Sequence, residues 1–275
     1  MTTTLRPAAP EQRTDDGGRS RRYEIRVNSR PVGSIDLATD RRFGPGVGRI
    51  VRLAVEVPDR RRGRGTVAAL AAEEVLRGWG CRRVEVCVAA GQAAAGLPLA
   101  TALGYTERNR TMGKPLSAEP PSLPDGTGGR PMTEAEFAVW EPAARAEYAE
   151  RWTAYGVPAD RAQAHAEADH RALLPDGPAT DGMLLRVLSH HGTPVGTLWA
   201  ALRSPAGFVY RVEVDPAHRG QGHGRSLMLL AETELRAAGA DRLRLNVFAD
   251  NAPARRLYES LGYEPEEYHL SKELL

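Results

Sequence analysis

The sequence predicts an α/β fold made of two tandem domains, each a mixed twisted sheet flanked by helices. Three observations carry that expectation. Alternating apolar runs are interleaved with helix-period segments along the chain. The pattern Arg-x-x-Gly-x-Gly occurs twice, as Arg60-Arg61-Arg62-Gly63-Arg64-Gly65 and as Arg219-Gly220-Gln221-Gly222-His223-Gly224. The flanks repeat at the same offset: Leu53 with Val212, Val55 with Val214, Leu70 with Leu229, Glu73 with Glu232, Leu76 with Leu235 and Gly80 with Gly239. A one-residue gap later, Leu103-Gly104-Tyr105 matches Leu261-Gly262-Tyr263. Shared spacing over that length marks an internal duplication.

Taken in order, residues 1–22 are polar and Arg-rich, carry Asp15 and Asp16, and read as a disordered tail. Residues 23–115 follow as the first domain. Its strands are expected at 23–28, 32–38 and 49–57, then a helix at 64–78, a strand at 83–88, a helix at 93–102 and a strand at 105–112. Residues 116–130 are rich in Pro and Gly without a period, and read as a linker. The second domain, 131–275, opens with Thr133 and Glu136 spaced as a capping box, ahead of Phe137, Trp140, Ala144 and Tyr148 at helical spacing. A second helix is expected to start at Pro158, in its first turn, and to run through 159–174. Strands at 183–190, 195–203 and 207–214, a helix at 223–238, a strand at 242–248, a helix at 252–261 and a strand at 264–272 then restate the first half.

Composition narrows the function classes. The net charge of +2 hides +9 in residues 1–115 and −6 in 131–181. The basic residues of the first half are scattered among acids with few aromatics to stack bases, which argues against a nucleic-acid surface. Cys81 and Cys87 stand on one strand face, six residues apart and too distant to bridge, so both read as reduced core thiols. Residues 1–22 hold no apolar stretch and no run has the length of a membrane span, so the expected compartment is cytoplasmic, with no membrane partner.

A strand, a glycine turn and a helix N-terminus together present bare N–H groups and a positive dipole end to a diphosphate. Gly222 and Gly224 let the backbone approach the anion, and Arg219 adds charge. The seven histidines show no metal-ligand spacing: His165 and His170 are poorly matched on a helix face, and His190-His191 sits at a hairpin turn. No metal is expected.

Val212-Glu213-Val214-Asp215-Pro216 followed by the second glycine loop resembles the acetyl-CoA signature of the GNAT N-acetyltransferases. Asn251-Ala252-Pro253-Ala254-Arg255-Arg256-Leu257-Tyr258-Glu259-Ser260-Leu261-Gly262-Tyr263 is similar to that family's second signature. The match covers 131–275 well and 23–115 more loosely, so the chain resembles a tandem GNAT protein. The resemblance implies acetyl-CoA as co-substrate and transfer to a primary amine of a small molecule or protein. It implies cofactor contacts from Val212, Val214, Arg219, Gly220, Gln221, Gly222, His223, Gly224, Arg225 and Asn251, with the Val214 N–H polarising the thioester carbonyl. Tyr258 resembles the general acid that protonates the departing thiolate. Asn251 suits a helix cap first and a cofactor contact second. An acceptor amine is mostly protonated at neutral pH, so a base is needed. Glu213 is the carboxylate best placed in sequence for that role; the other reading is a surface strand residue pointing away.

The first half keeps Arg60, Gly63 and Gly65, a candidate second cofactor site, but loses the second signature. Leu99-Ala100 stand where Leu257-Tyr258 do, leaving no general acid. The first domain is therefore expected to be degenerate, and catalysis to belong to 131–275. Glu134, Glu136, Glu141, Glu147, Glu150, Glu167 and Asp169, with Trp140, Tyr148, Trp152 and Tyr155, suit a cationic amine acceptor or else form a solvated acidic helix face. The alternative to an enzyme is an acyl-CoA-binding regulatory or scaffolding protein. A monomer and a homodimer both fit the sequence.

Overall fold

The computed structural model describes residues 2–15, 17–40, 44–119 and 121–274, which fall into two compact units. The first comprises Met1–Arg110 with Glu266–Leu275; the second is Thr111–Pro265.

In the first unit the strands are β1 (Thr3–Pro7), β2 (Gln12–Arg13), β3 (Arg19–Val27), β4 (Arg30–Asp40), β5 (Gly44–Val55) and β6 (Arg83–Ala89). Helix α1 (Arg64–Gly78) joins β5 to β6, and α2 (Ala93–Ala102) follows. Strand β7 (Thr106–Pro115) begins in this unit and passes into the second at Thr111. The sheet runs β1-β3-β4-β5-β6 and then takes in the end of β13 (Glu264–Glu273), the last strand of the chain. Its residues Glu267–Glu273 pair antiparallel with Arg83–Ala89 of β6. Leu270 of β13 is buried with Ile25, Ile35, Leu37, Leu76 and Val84.

The second unit contains β8 (Thr127–Pro131), α3 (Glu134–Ala154), α4 (Ala159–Leu173), β9 (Met183–His190), β10 (Thr193–Arg203), β11 (Ala206–Val214), α5 (His223–Ala237), β12 (Arg242–Phe248) and α6 (Ala252–Ser260). Its sheet runs from the end of β7 through β12, β11, β10 and β9 to β8. Met112 of β7 is fully buried there with Leu198, Leu227, Leu235, Leu243 and Leu245. No helix among the described residues is long and apolar enough to cross a membrane.

The helices form where periodicity and caps place them. Thr133 caps α3, accepting from the Glu136 N–H while the Glu136 carboxylate accepts from Thr133, and Arg130 braces that carboxylate at 2.6 Å. The resulting carboxyl is held down at about 2, first by Arg130 and then by the Thr133 N–H. Pro158 stands one residue before α4, at the cap with extended ψ, rather than in the first turn as expected.

Four expectations need correction. Residues 3–7 and 19–22 are strand, not tail: Leu5 faces Ile25 across the β1–β3 ladder and packs on the core. The five-residue Thr-Thr-Leu-Arg-Pro strand is too short to show a period, and the apolar face of β3 needs the partner it supplies. Met1 and Asp16 of that stretch lie outside the described residues. The linker ends in β8, which pairs with β9, and its Leu116 and Leu123 pack on the second unit's core. The second domain does not hold the chain's last ten residues, which complete the first unit's sheet. Cys87 is exposed while Cys81 is buried. Across that sheet face β5 bulges at the neighbouring position, since Asp36 pairs with Arg52 but Leu37 pairs with Ile50, and nothing covers Val51.

Candidate functional site

The site of the second unit is built on the end of β11. Val209 pairs with Ala200 but Arg211 pairs with Trp199, so Tyr210 is an inserted bulge residue. The bulge bends β11 away from β12. Among the described residues the parallel β11–β12 ladder covers only Ala206–Val209, leaving Tyr210–Val214 with an open edge on that side. The Asp215 N–H bonds to Val195 O at 3.0 Å, on the β10 side. Pleat alternation then turns the N–H groups of Val212 and Val214 toward the open edge. An extended amide chain laid there would find a ready partner.

Next comes the glycine loop. Asp215 caps a short turn through the Ala217 N–H, and Arg219 Nε donates to Val214 O at 3.2 Å, clipping the loop to the strand end. Gly220 and Gly222 take left-handed conformations at φ 78° and 86°, and Gly222 is the N-cap of α5. Among the described residues the N–H groups of Gln221, Gly222, His223 and Gly224 have no backbone acceptor, which is what an anion at a helix N-terminus requires. Gly224 serves close approach instead: a Cβ there would sit 3.2 Å from Leu257 Cδ2 and 3.8 Å from Val214 Cγ2.

His223, by contrast, points inward and is buried among His190 and His218, with ring centroids at 5.2 and 6.3 Å. Burial, then the two neighbouring imidazoles, hold it below the ordinary histidine range. Arg225 Nη2 reaches Ser260 Oγ at 2.6 Å and ties α5 to the end of α6. Asn251 caps α6, its Oδ1 accepting from the Ala254 N–H at 3.2 Å.

Tyr258 lies on α6, buried and edge-on to Tyr263 at 6.0 Å. Burial pushes its hydroxyl up to about 12, so it stays protonated at neutral pH and is able to donate. Glu213 is half-buried and ion-paired: Arg211 Nη2 lies 3.0 Å from its Oε2, and the same guanidinium binds Glu147 of α3. Sequence reasoning missed that clamp, because Arg211 and Glu147 stand far apart in the chain. It also missed an aromatic group beside it, in which Tyr210 stacks on Trp199 at 4.8 Å and Trp199 meets His170 edge-on at 5.1 Å. His170 Nδ1 is 3.1 Å from Glu141 Oε1. Many of the acids of α3 and α4 are thus already engaged, Glu136 by Arg130, Glu147 by Arg211 and Asp169 by the Tyr148 hydroxyl.

The first unit repeats the scaffold without the acid. Val51 takes the bulge position, and the parallel β5–β6 ladder stops at Ile50. Arg60 Nε donates to Val55 O at 2.8 Å as Arg219 does to Val214. Gly63 caps α1 at φ 72°, and a Cβ at Gly65 would sit 3.5 Å from Leu99 Cδ2. Ala100 accepts from the Tyr105 N–H as Tyr258 does from Tyr263, so no hydroxyl stands at that place.

A profile of the acetyltransferase (GNAT) family matches residues 3–105 and again 140–263. The chain belongs to this GNAT family. It is a tandem N-acetyltransferase of α/β fold, with both halves matched. A mycothiol acetyltransferase of Nocardia farcinica is 34% identical over 214 residues, which are 74% of this chain and 68% of that protein. One from Thermobispora bispora is 44% identical over 79 residues, which cover 26% of this chain and only 27% of that protein. Among solved structures, a GCN5-related N-acetyltransferase from Sphaerobacter thermophilus superposes with a TM-score of 0.58 at 20% identity, over 92% of this chain and 80% of that one. That likeness concerns the GNAT fold alone.

Proposed function

We propose that the second unit moves an acetyl group from acetyl-CoA to a primary amine by direct attack of the amine on the thioester. The observation that carries this reading is the conjunction, in one unit, of an unpaired strand edge, four bare N–H groups and a buried protonated tyrosine. Gln221 to Gly224 hold the diphosphate, with Gly220 shaping the turn. The edge at Val212 and Val214 pairs with the pantetheine arm. The Val214 N–H polarises the thioester carbonyl as negative charge develops on its oxygen, an oxyanion-type contribution. Arg219, already tied to Val214 O, serves mainly to fix the loop.

The amine nitrogen attacks the carbonyl carbon, the carbon–sulfur bond breaks as Tyr258 delivers its proton to the departing thiolate, and the second proton shed by the acylated nitrogen returns through water to the Tyr258 oxygen. Glu213 takes the proton from the amine, directly or through water, once the amine displaces Arg211 from it. Asn251 acts as the cap that orients α6 and hence Tyr258, and Arg225 holds the other end of that helix. The first unit lacks an acid at Ala100 and is read as non-catalytic, with Arg60, Gly63 and Gly65 shaping a second candidate cofactor loop. The acceptor is a small-molecule or protein amine. The one used by mycothiol acetyltransferases is the first to test, given the Nocardia farcinica relative.

The test is calorimetric titration of the full chain with acetyl-CoA, followed by thiol release in the presence of candidate amines. Saturable binding with acceptor-dependent thiol release is expected. A stoichiometry near one assigns binding to the second unit, and near two adds the first. Absence of binding would overturn the transferase reading.

A further inference from the structure

Strand exchange brings three metal-ligating side chains together on the sheet face of the first unit. Cys87 of β6 is directly opposite His269 of β13 in the antiparallel ladder, and Glu267 lies two residues back on the same face. The Cys87 Sγ, a Glu267 carboxylate oxygen and a His269 ring nitrogen all lie within 4.8 Å of one another. The His269 Nε2 and Glu267 Oε2 are already 3.7 Å apart. Tetrahedral zinc, with bonds of about 2.0–2.3 Å, needs ligand atoms roughly 3.5 Å apart. The remainder is a shift of roughly 1 Å, asked of the exposed Cys87 and the half-buried Glu267 side chains.

We propose that Cys87, Glu267 and His269 form a zinc site, with a water molecule as fourth ligand on the exposed side. A thiolate, an imidazole and a carboxylate suit a borderline divalent cation rather than magnesium or calcium, which take oxygen ligands. Binding releases the thiol proton, leaving a thiolate and a carboxylate to balance the two positive charges of the ion. Among the described residues two cations face the trio, and each also has an acidic or amide partner of its own. Arg49 of β5 is 3.7 Å from Asp40, and Arg108 of β7 is bound to Glu85 and Asn109. Glu107 is taken by Arg110 at 2.7 Å. The trio lies outside both glycine loops, so the site stands apart from acetyl transfer.

Cobalt(II) is the probe. Untagged full-length protein, stripped with a chelator and kept in a thiol-free reductant, is titrated with cobalt and read by absorption. One equivalent is expected to raise a thiolate-to-cobalt charge-transfer band with intense visible bands of a four-coordinate ion, and zinc should bleach both. Cys87→Ser should abolish the charge-transfer band. His269→Gln and Glu267→Gln should each weaken binding by more than the ~10–100-fold that loss of an outer-shell partner costs. An unchanged thermal unfolding midpoint of each metal-free variant shows that the fold of the first unit is intact. Failure of cobalt to saturate, or a charge-transfer band that survives Cys87→Ser, would overturn the proposal.

Discussion

Lys114 Nζ lies 2.8 Å from the buried carboxylate of Glu232, which also accepts the Tyr263 hydroxyl at 3.0 Å. The first unit repeats the ion pair: Lys272 Nζ is 2.7 Å from Glu73 and 5.7 Å from the Tyr105 ring centroid. In each unit the lysine is carried by a strand that begins in the other copy of the duplication. Removing one partner leaves a carboxylate uncompensated out of water. Lys114→Ala is therefore expected to cost about 3–5 kcal/mol in denaturant unfolding. The pair Lys114→Met with Glu232→Gln should recover much of that loss. A single substitution costing under about 1 kcal/mol would show Glu232 to be solvated instead.

Tyr258→Phe keeps the ring and its contact with Tyr263 while deleting the hydroxyl. Turnover should fall about 100-fold or more, the scale of a general acid. Acetyl-CoA affinity should stay nearly constant, because Tyr258 is not part of the glycine loop. Steady-state kinetics beside calorimetry separate the two effects, and an undiminished rate would remove Tyr258 from the chemistry.

Acid should loosen the glycine loop of the second unit before it affects the matching loop of the first unit. His223 and His170 are both held below the ordinary histidine value, chiefly by burial. The unfolded chain therefore binds protons that the folded chain refuses, and stability rises with pH across that interval. It is complete above about 6.5 and is lost as pH falls from there toward the depressed folded values. In the first unit Arg64 takes the place of His223, 3.1 Å from Asp59, which Arg30 holds below the usual carboxylate range. Asp59 therefore keeps its charge throughout the interval. Thermal unfolding followed across the pH range should show a slope that His223→Gln reduces. An identical slope in the variant would acquit His223.

Arg61 occupies at φ 58° the left-handed position that Gly220 fills in the second loop. A non-glycine residue there carries about 1 kcal/mol of strain, partly offset by the greater freedom glycine has when unfolded. Arg61→Gly is expected to stabilise the protein by about 0.5 kcal/mol in urea unfolding. Destabilisation would mean that the Arg61 side chain makes a contact worth more than the strain.

Most elements were legible because each is long enough to show its period, and α1, β6, α2, β9 and α5 lie within a residue or two of the expectation. The glycine loops were legible too, since their roles are local. What escaped notice depends on pairing between distant segments. The stretches after Tyr105 and after Tyr263 are alike in pattern, so nothing in either says which sheet it will join. Bulges at Val51 and Tyr210 look like ordinary strand residues, yet they open the strand edge. The Arg211–Glu147 and Cys87–His269 pairings exist only once the sheets are assembled.

The exchange of final strands also sets how this chain can be taken apart. A cut in 116–130 yields a front piece without residues 266–275 and a rear piece without 111–115, each with a bared edge and a stranded acidic side chain. Neither piece is a module that recombination could carry off and reuse. The duplicated halves are bound to be inherited together, because each keeps the lysine that answers the other's buried acid.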